Sequence, residues 1–217
     1  MRLIYSLSLA TLLLSASLCK SQTRFGATLG GLFTRNTIAP YTEGGVKYTN
    51  KSRVSYSLGL AMSHELGKHT AIKSNLLFTD KGDRTEGGSG ASLEEYSYRL
   101  TQLELPVNLV YTSGGRDGGF FVGGGPYFGL GLSASEKFKN DGTVTDYTFG
   151  EDLKRGEFGL NLVAGYETKG GFYVNLRYAR SFNDVYIGYG TNKNTLTGLY
   201  LGYYFRNGNK SQIGNRP

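Results

Sequence analysis

Hydrophobic and polar positions alternate with a period of two along most of this chain. The pattern is cleanest over residues 156–182, GEFGLNLVAGYETKGGFYVNLRYARSF. Phe158, Leu160, Leu162, Ala164 and Tyr166 share one parity, and Glu157, Gly159, Asn161, Val163, Gly165 and Glu167 take the other. Past Thr168-Lys169-Gly170 the pattern resumes. Phe172, Val174, Leu176 and Tyr178 lie on one face, with Tyr173, Asn175, Arg177 and Ala179 opposite. Strict alternation on both sides of a Gly-bearing turn predicts a β-hairpin. Each arm runs about ten residues, the length a tilted strand needs to cross the hydrocarbon layer of a bilayer. One face is apolar and ends in aromatics, while the other is Gly, Asn, Arg and Glu. That is the pattern of a membrane barrel, oily outside and polar inside.

Six further segments alternate in the same way, at about 24–35, 53–64, 70–80, 97–112, 119–134 and 194–206. With the hairpin they make eight strands. Their connections alternate in length. Residues 36–52, 81–96, 135–153 and 183–193 are long and rich in Gly, Ser, Asp and Lys, and are expected to be mobile. ELGKH, SGGRDGG and TKG are short. Long connections at one end and short turns at the other are the asymmetry of bacterial outer-membrane barrels. Phe25, Tyr111, Phe120, Tyr166, Phe172 and Phe205 then fall on the short-turn rim as an aromatic girdle. The predicted fold is all-β, a closed antiparallel up-and-down transmembrane barrel of eight strands, with long outer loops and short periplasmic turns.

Composition agrees with this picture. Glycine supplies 33 of the 217 residues without a collagen period, and Tyr and Phe add 17 and 12. The N-terminus, MRLIYSLSLATLLLSASLCKSQ, has a basic start, an apolar run and small residues at its end, so 1–21 reads as a signal peptide cleaved to leave Gln22 first. A lipoprotein signal using Cys19 is the rival, and Leu18 is too large for the small residue usual before such a cysteine. Cleavage would leave residues 22–207 as the barrel, 208–217 as a polar tail, and no cysteine for disulfide or thiol chemistry. The formal charge of +7 falls to about +5 once Arg2 and Lys20 leave. It is too diffuse to argue for a nucleic-acid partner.

Few residues point to chemistry. Ser63, His64 and Glu65 are consecutive on a strand, so they face alternate sides and form no catalytic triad. His69 lies in a turn. GGGPYFGLG (123–131) is followed by no helix, which a phosphate loop requires. Its glycines at 123, 125, 129 and 131 share a parity and leave lumen space for Tyr127. Pro106 and Pro126 each remove a ladder donor inside a strand, so a bulge or kink is expected there. No catalytic residue, cofactor or metal site is predicted. The informative set is the inward-facing charges Lys73, Glu104, Glu157, Glu167 and Arg177. Tyr127 is expected opposite Glu104, and Lys73 and Arg177 are expected to supply the balancing charge. An eight-stranded interior is just wide enough to be filled by side chains, and charges buried there must be paired. These six residues are read as a structural polar network that fills the lumen.

The sequence also resembles a known family. LELPVNLVY (103–111), FFVGGGPYFGLGLSA (120–134), FGLNLVAGYE with GGFYVNLRYARSFNDV, and the closing NTLTGLYLGYYF look like the outer-membrane β-barrel domain family often called PorT-like. The Leu-Pro-Val and Gly-Pro-Tyr pieces are the more specific. The resemblance implies an integral outer-membrane barrel of about eight strands. One family member is tied to a secretion system, and no motif here carries that role over. The tail after Phe205, RNGNKSQIGNRP, departs from barrels that end on the aromatic.

The expected function is that of a non-enzymatic outer-membrane protein in contact with outer-membrane lipids. A protein partner would meet it through the long loops or the periplasmic turns. The alternatives are an accessory of an outer-membrane transport or secretion system, a lipid-modifying barrel enzyme, and a soluble lipocalin-like carrier. No histidine lies near the long loops, which weighs against the enzyme. Recovery from the outer-membrane fraction would separate the carrier from the rest.

Overall fold

The computed structural model describes residues 23–37, 41–43, 46–89, 92–187 and 192–205. The expected signal peptide, the expected first residue Gln22 and the polar tail lie outside the described residues. Ten strands follow in order: β1 (Thr23–Thr37), β2 (Tyr41–Glu43), β3 (Val46–Glu65), β4 (Thr70–Ser89), β5 (Ser92–Thr112), β6 (Gly119–Phe138), β7 (Val144–Asp146), β8 (Gly156–Glu167), β9 (Phe172–Ser181) and β10 (Lys193–Tyr204). A single 3-10 turn, Gly115–Asp117, lies in the short β5–β6 connection. Eight of the strands pair antiparallel in the order β1-β10-β9-β8-β6-β5-β4-β3, and β3 pairs back to β1 and closes the ring. β2 and β7 are short additions to β3 and β6.

Closure satisfies the strand N–H and C=O groups within the ring, which is what a sheet must achieve in hydrocarbon. Alternation then sorts the side chains. In β8 the outward residues Phe158, Leu160, Leu162 and Ala164 are exposed, while Glu157, Asn161 and Glu167 are buried. The same outward apolar parity runs through Phe25, Leu29 and Phe33 in β1, and through Leu103, Leu105, Leu109 and Tyr111 in β5. So large an exposed apolar band on a folded chain marks contact with lipid. The short-turn rim carries the aromatics read from the sequence. Phe120 and Tyr166 meet edge to face at 5.1 Å, and Tyr203 lies 6.0 Å from Phe205.

The wall is of unequal height. β3, β4, β5 and β6 are 20, 20, 21 and 20 residues long, whereas β8, β9 and β10 are 12, 10 and 12. Eight extra residues carry a sheet roughly 25 Å further. The segments 46–52, 81–89, 92–96 and 135–138, expected as irregular loop, are therefore strand. They stand as a projecting sheet above the long-connection end, with β2 and β7 on its two edges. Two register shifts mark its base, between Ser52 and Ser57 in β3 and between Thr101 and Gln102 in β5. At the first, Gly82 has a φ of +150° and packs so closely on the Tyr98 carbonyl that a Cβ would fall 2.0 Å from its oxygen. The Thr34 hydroxyl accepts from the Gly82 N–H and donates to the Gly82 carbonyl, at 3.1 and 2.7 Å.

The prolines behave differently from expectation. Pro106 pairs with Tyr127 and Leu109 with Gly124 in one register, so no shift occurs across Pro106 or Pro126. Each proline instead leaves ladder positions unpaired, and side chains fill in. Ser74 Oγ donates to the Pro106 carbonyl at 3.0 Å, and Asn161 Nδ2 donates to the Gly125 carbonyl at 2.7 Å.

Replacing Leu162 with Arg puts a charge on the lipid face at mid-band and should cost about 2–4 kcal/mol, while Leu132→Arg near the outer end should cost about 0–1 kcal/mol. Unfolding of both variants in reconstituted vesicles checks this. A larger penalty at 132 would misplace the band.

Candidate functional site: the lumen and its cap

Two charge clusters lie in the lumen, one above the other, and a further buried pair, Arg53 with Asp80 at 2.8 Å, adjoins the upper one through the Lys81 carbonyl. The upper cluster centres on Lys81 of β4. Its ammonium lies between Glu104 of β5 and Glu157 of β8, with Nζ in contact with Glu104 and 2.9 Å from Glu157 Oε1. Arg177 of β9 donates through Nη1 to Glu104 Oε2 at 2.9 Å and to the Tyr200 hydroxyl at 3.3 Å. Tyr127 donates its hydroxyl to Glu157 Oε1 at 2.6 Å, and Asn194 Nδ2 donates to Glu157 Oε2 at 2.6 Å. Gln102 Nε2 donates to Glu104 Oε1 at 2.7 Å. Two cations face two carboxylates, so the cluster is neutral, and its carboxylate oxygens have donors. That is the condition under which buried charge is tolerated.

The lower cluster lies nearer the short turns. Glu167 of β8 receives Lys73 Nζ at 2.6 Å and Arg24 Nη1 at 2.5 Å. Lys73 also stands 3.8 Å above the centroid of the Phe121 ring, within range of a cation–π contact. Between the clusters is a small cavity lined by Thr28, Asn108, Tyr173, Arg177 and Tyr200. Arg177 Nε and Nη2 and Asn108 Oδ1 make no hydrogen bond to another described residue. Polar walls of this kind suit a buried water.

Large and small residues alternate around the lumen so that it fills. A Cβ on Gly30 would meet the Tyr200 ring at 2.7 Å, one on Gly202 the Tyr173 ring at 2.3 Å, and one on Gly159 the Tyr127 ring at 2.7 Å. Glycine at these places makes room for a tyrosine.

A cap covers the outer end. Residues 147–155 and 183–187 fold against the inner face of the projecting sheet. Leu153 and Val185 are buried there with Tyr98, Leu100 and Ala134, and Tyr147, Phe149 and Tyr186 pack around them. Lys154 N–H donates to the Val185 carbonyl at 2.8 Å and Ile187 N–H to the Asp152 carbonyl at 2.9 Å, which ties the two segments together. These long connections, expected to be mobile, are held by an aromatic cluster and by backbone hydrogen bonds. Further out, Lys139 donates to Glu95 at 2.7 Å, and that hydrogen bond holds the Glu95 carboxyl below the usual range.

Sequence reasoning named Lys73, Glu104, Tyr127, Glu157, Glu167 and Arg177. The structure places all six in the lumen but divides them. Glu104, Tyr127, Glu157 and Arg177 meet in the upper cluster, whereas Lys73 and Glu167 belong to the lower. Two expected pairings differ. Glu104 lies opposite Gly129 rather than Tyr127, which lies opposite Pro106, because the β5–β6 register is offset by two residues from the expected one. Lys73 neutralises Glu167, not Glu104. Lys81, Arg24, Gln102 and Asn194 were missed. Lys81 continues the inward parity of Lys73, Leu77 and Thr79, and it fell one residue past the expected end of its strand. His64 and His69 are both at the short-turn end, where they contact Thr23 Oγ1 at 2.7 Å and the Thr112 carbonyl at 3.0 Å. The 123–131 glycines lie within β6. Among the described residues, no group of three His, Cys, Asp or Glu side chains could hold a metal ion.

A closed ring of eight antiparallel strands, with an apolar outer band and a charged, filled interior, is the construction of a small outer-membrane β-barrel. The chain belongs to the outer membrane protein beta-barrel domain family, whose model matches residues 16–186. Its place is therefore the outer membrane, as an integral protein. No curated protein matches the sequence. Solved structures similar to it include Ail, the attachment invasion locus protein of Yersinia pestis, at 14% identity and a TM-score of 0.46, over 85% of this chain and 99% of that one. Neisserial surface protein A is similar at 10% identity and a TM-score of 0.47, over 83% and 97% of the two chains. OprG of Pseudomonas aeruginosa is similar at 16% identity and a TM-score of 0.40, over 85% and 97%.

Lys81→Met removes the central cation and leaves Glu104 and Glu157 short of a partner. It should cost about 3–5 kcal/mol, as expected for breaking a buried pair from one side. Lys51→Met, which breaks an exposed pair with Glu86, should cost at most about 1 kcal/mol. Urea unfolding in detergent micelles measures both. A cost at 81 no greater than at 51 would mean that the upper cluster does not hold the barrel.

Proposed function

We propose that this protein is a non-enzymatic outer-membrane barrel with a sealed lumen, and that it works through the surface it presents outside the cell. The observation that carries this reading is the double obstruction of the interior. The neutral cluster of Lys81, Glu104, Glu157 and Arg177 fills the middle, and the cap around Leu153 and Val185 covers the outer end. A transport path would have to break both. The sealed interior leaves the outer part of the projecting sheet, past Lys81 and the residues that seat the cap, free for another role. Its outer edge strand β7 is exposed at Val144, Thr145 and Asp146. An edge strand of this kind offers unpaired backbone groups to an extended segment of another protein. A partner recognised through the projecting sheet and its cap is the reading this arrangement supports best. Export through a cleaved signal peptide, with Gln22 as the first mature residue, belongs to the same proposal, and mass measurement of the N-terminus decides it.

Purified protein in planar bilayers should give no stable conductance steps, because the lumen is narrow, filled and charge-balanced. Long-lived channels of high conductance would contradict the sealed barrel. For the surface, a photo-crosslinker at Val144 on intact cells should capture a protein, whereas one at Leu66 in the β3–β4 turn should not be reached from outside. Capture at Leu66 alone would move the interaction to the periplasmic side.

A further inference from the structure

The low side of the barrel carries cations that no function assigned above uses. In β1, β10 and β9 the register places Arg35 opposite Thr195, and Thr195 opposite Arg180. The three residues form one row across three adjacent strands. All lie on the lipid-facing parity, just outside the apolar positions Phe33 and Tyr178. Lys193, two residues before Thr195 on the same parity, pairs with Thr37 one step further out. Strand spacing puts the Arg35 and Arg180 backbones roughly 10 Å apart, with Lys193 about 7 Å outward from their midpoint. Arg35 and Arg180 are exposed, and Lys193 is half-buried. None of the three forms a salt bridge with another described residue. β1, β9 and β10 contain no Asp or Glu at all. Lys73, Lys81 and Arg177 in the lumen are matched by carboxylates, and Lys51 and Lys139 on the projecting sheet pair with Glu86 and Glu95. What sets Arg35, Arg180 and Lys193 apart is that they stand together on three adjacent strands at the edge of the apolar band.

We propose that Arg35, Arg180 and Lys193 form a site for the phosphate group of an outer-leaflet phosphorylated glycolipid of the lipid A type. The position selects the ligand. An anion here must sit at the hydrocarbon boundary with its apolar part running down the band beneath, over Phe33, Leu199 and Tyr178. Two guanidinium groups offer paired donors in the geometry that a phosphate accepts, and the ammonium adds a third donor from outside. The Thr195 hydroxyl, 3.4 Å from the Thr37 hydroxyl, lies between the two arginines as a neutral donor. This is also the part of the wall where the strands are short, so a headgroup can approach without meeting the projecting sheet. The proposal rests on the outer-membrane placement above. Its test uses binding by purified protein, which does not depend on whether the lumen conducts or the outer sheet has a partner.

Native mass spectrometry of the detergent-solubilised protein, titrated with lipid A, with the same lipid after enzymatic dephosphorylation, and with inorganic phosphate, tests the site. Lipid A should bind roughly tenfold or more tightly than its dephosphorylated form, the effect of losing a charge-assisted contact of this kind. Inorganic phosphate should not compete at millimolar concentration, since it lacks the acyl chains. Equal binding of the two lipids would overturn the proposal, and competition by inorganic phosphate would replace the lipid with a free anion. The triple variant Arg35→Gln, Arg180→Gln, Lys193→Gln should lose the preference while keeping the heat-dependent gel shift of a folded barrel. Lys137→Gln with Lys139→Gln, on the tall side of the wall, should keep it. Loss of the preference in the second variant as well would reduce the effect to general charge and reject the site. The comparison of the two lipids on the unaltered protein needs no variant and stands whether or not the triple variant folds.

Discussion

Lys81 between Glu104 and Glu157 is the contact on which the rest of this barrel depends. Eight strands enclose a space that side chains must fill, because a void would forfeit contacts and an unpaired charge would cost several kcal/mol. The chain meets the constraint by setting carboxylates against its buried cations, Glu104 and Glu157 against Lys81 and Arg177 and Glu167 against Lys73 and Arg24, and tyrosines against glycines. The four principal charged groups of the upper cluster come from β4, β5, β8 and β9, strands on both sides of the ring. The cluster therefore ties facing walls of the ring together across the lumen. The lower cluster repeats the arrangement with Arg24, Lys73 and Glu167, linking β1, β4 and β8.

The outside of the molecule follows from the same alternation. A strand that places Glu157, Asn161 and Glu167 inward must place Leu160 and Leu162 outward, so a filled polar lumen and an apolar belt are one pattern seen from two sides. The unequal wall height then divides the rim. On the tall side the sheet continues past the bilayer, and loops 147–155 and 183–187 close over the lumen. On the low side the wall stops near the membrane surface, where Arg35, Arg180 and Lys193 stand at the boundary.

The barrel was legible because period-two patterning survives strand by strand, and alternating connection lengths gave its orientation. The inward parity pointed to Glu104, Glu157, Glu167 and Arg177, which the structure buries inside the ring. What stayed hidden depended on other strands. The partner of a given carboxylate is fixed by register across the ring, and an offset of two residues between β5 and β6 exchanged Tyr127 for Gly129 opposite Glu104. Lys81 was lost because its strand runs on through a Gly-, Asp- and Thr-rich stretch that reads as loop. There the sheet is held by neighbouring strands rather than by its own apolar alternation. The cap was hidden for the same reason. Leu153 stands alone in a polar connection and Val185 opens a three-residue run Val185-Tyr186-Ile187, and only the folded sheet brings the two together with Tyr98.

The central claim, that the interior is sealed at the level of the upper cluster, can be read directly from thiol accessibility. Thr79 is fully buried on the lumen side one pair-step from Lys81, whereas Val144 is exposed on the projecting sheet. Single cysteines at these positions, in a Cys19→Ser background, can be exposed to a small charged thiol reagent in the folded, reconstituted protein. The account predicts rapid reaction at 144 and none at 79 until the barrel is unfolded. Reaction at 79 as fast as at 144 would mean an open lumen and would contradict it.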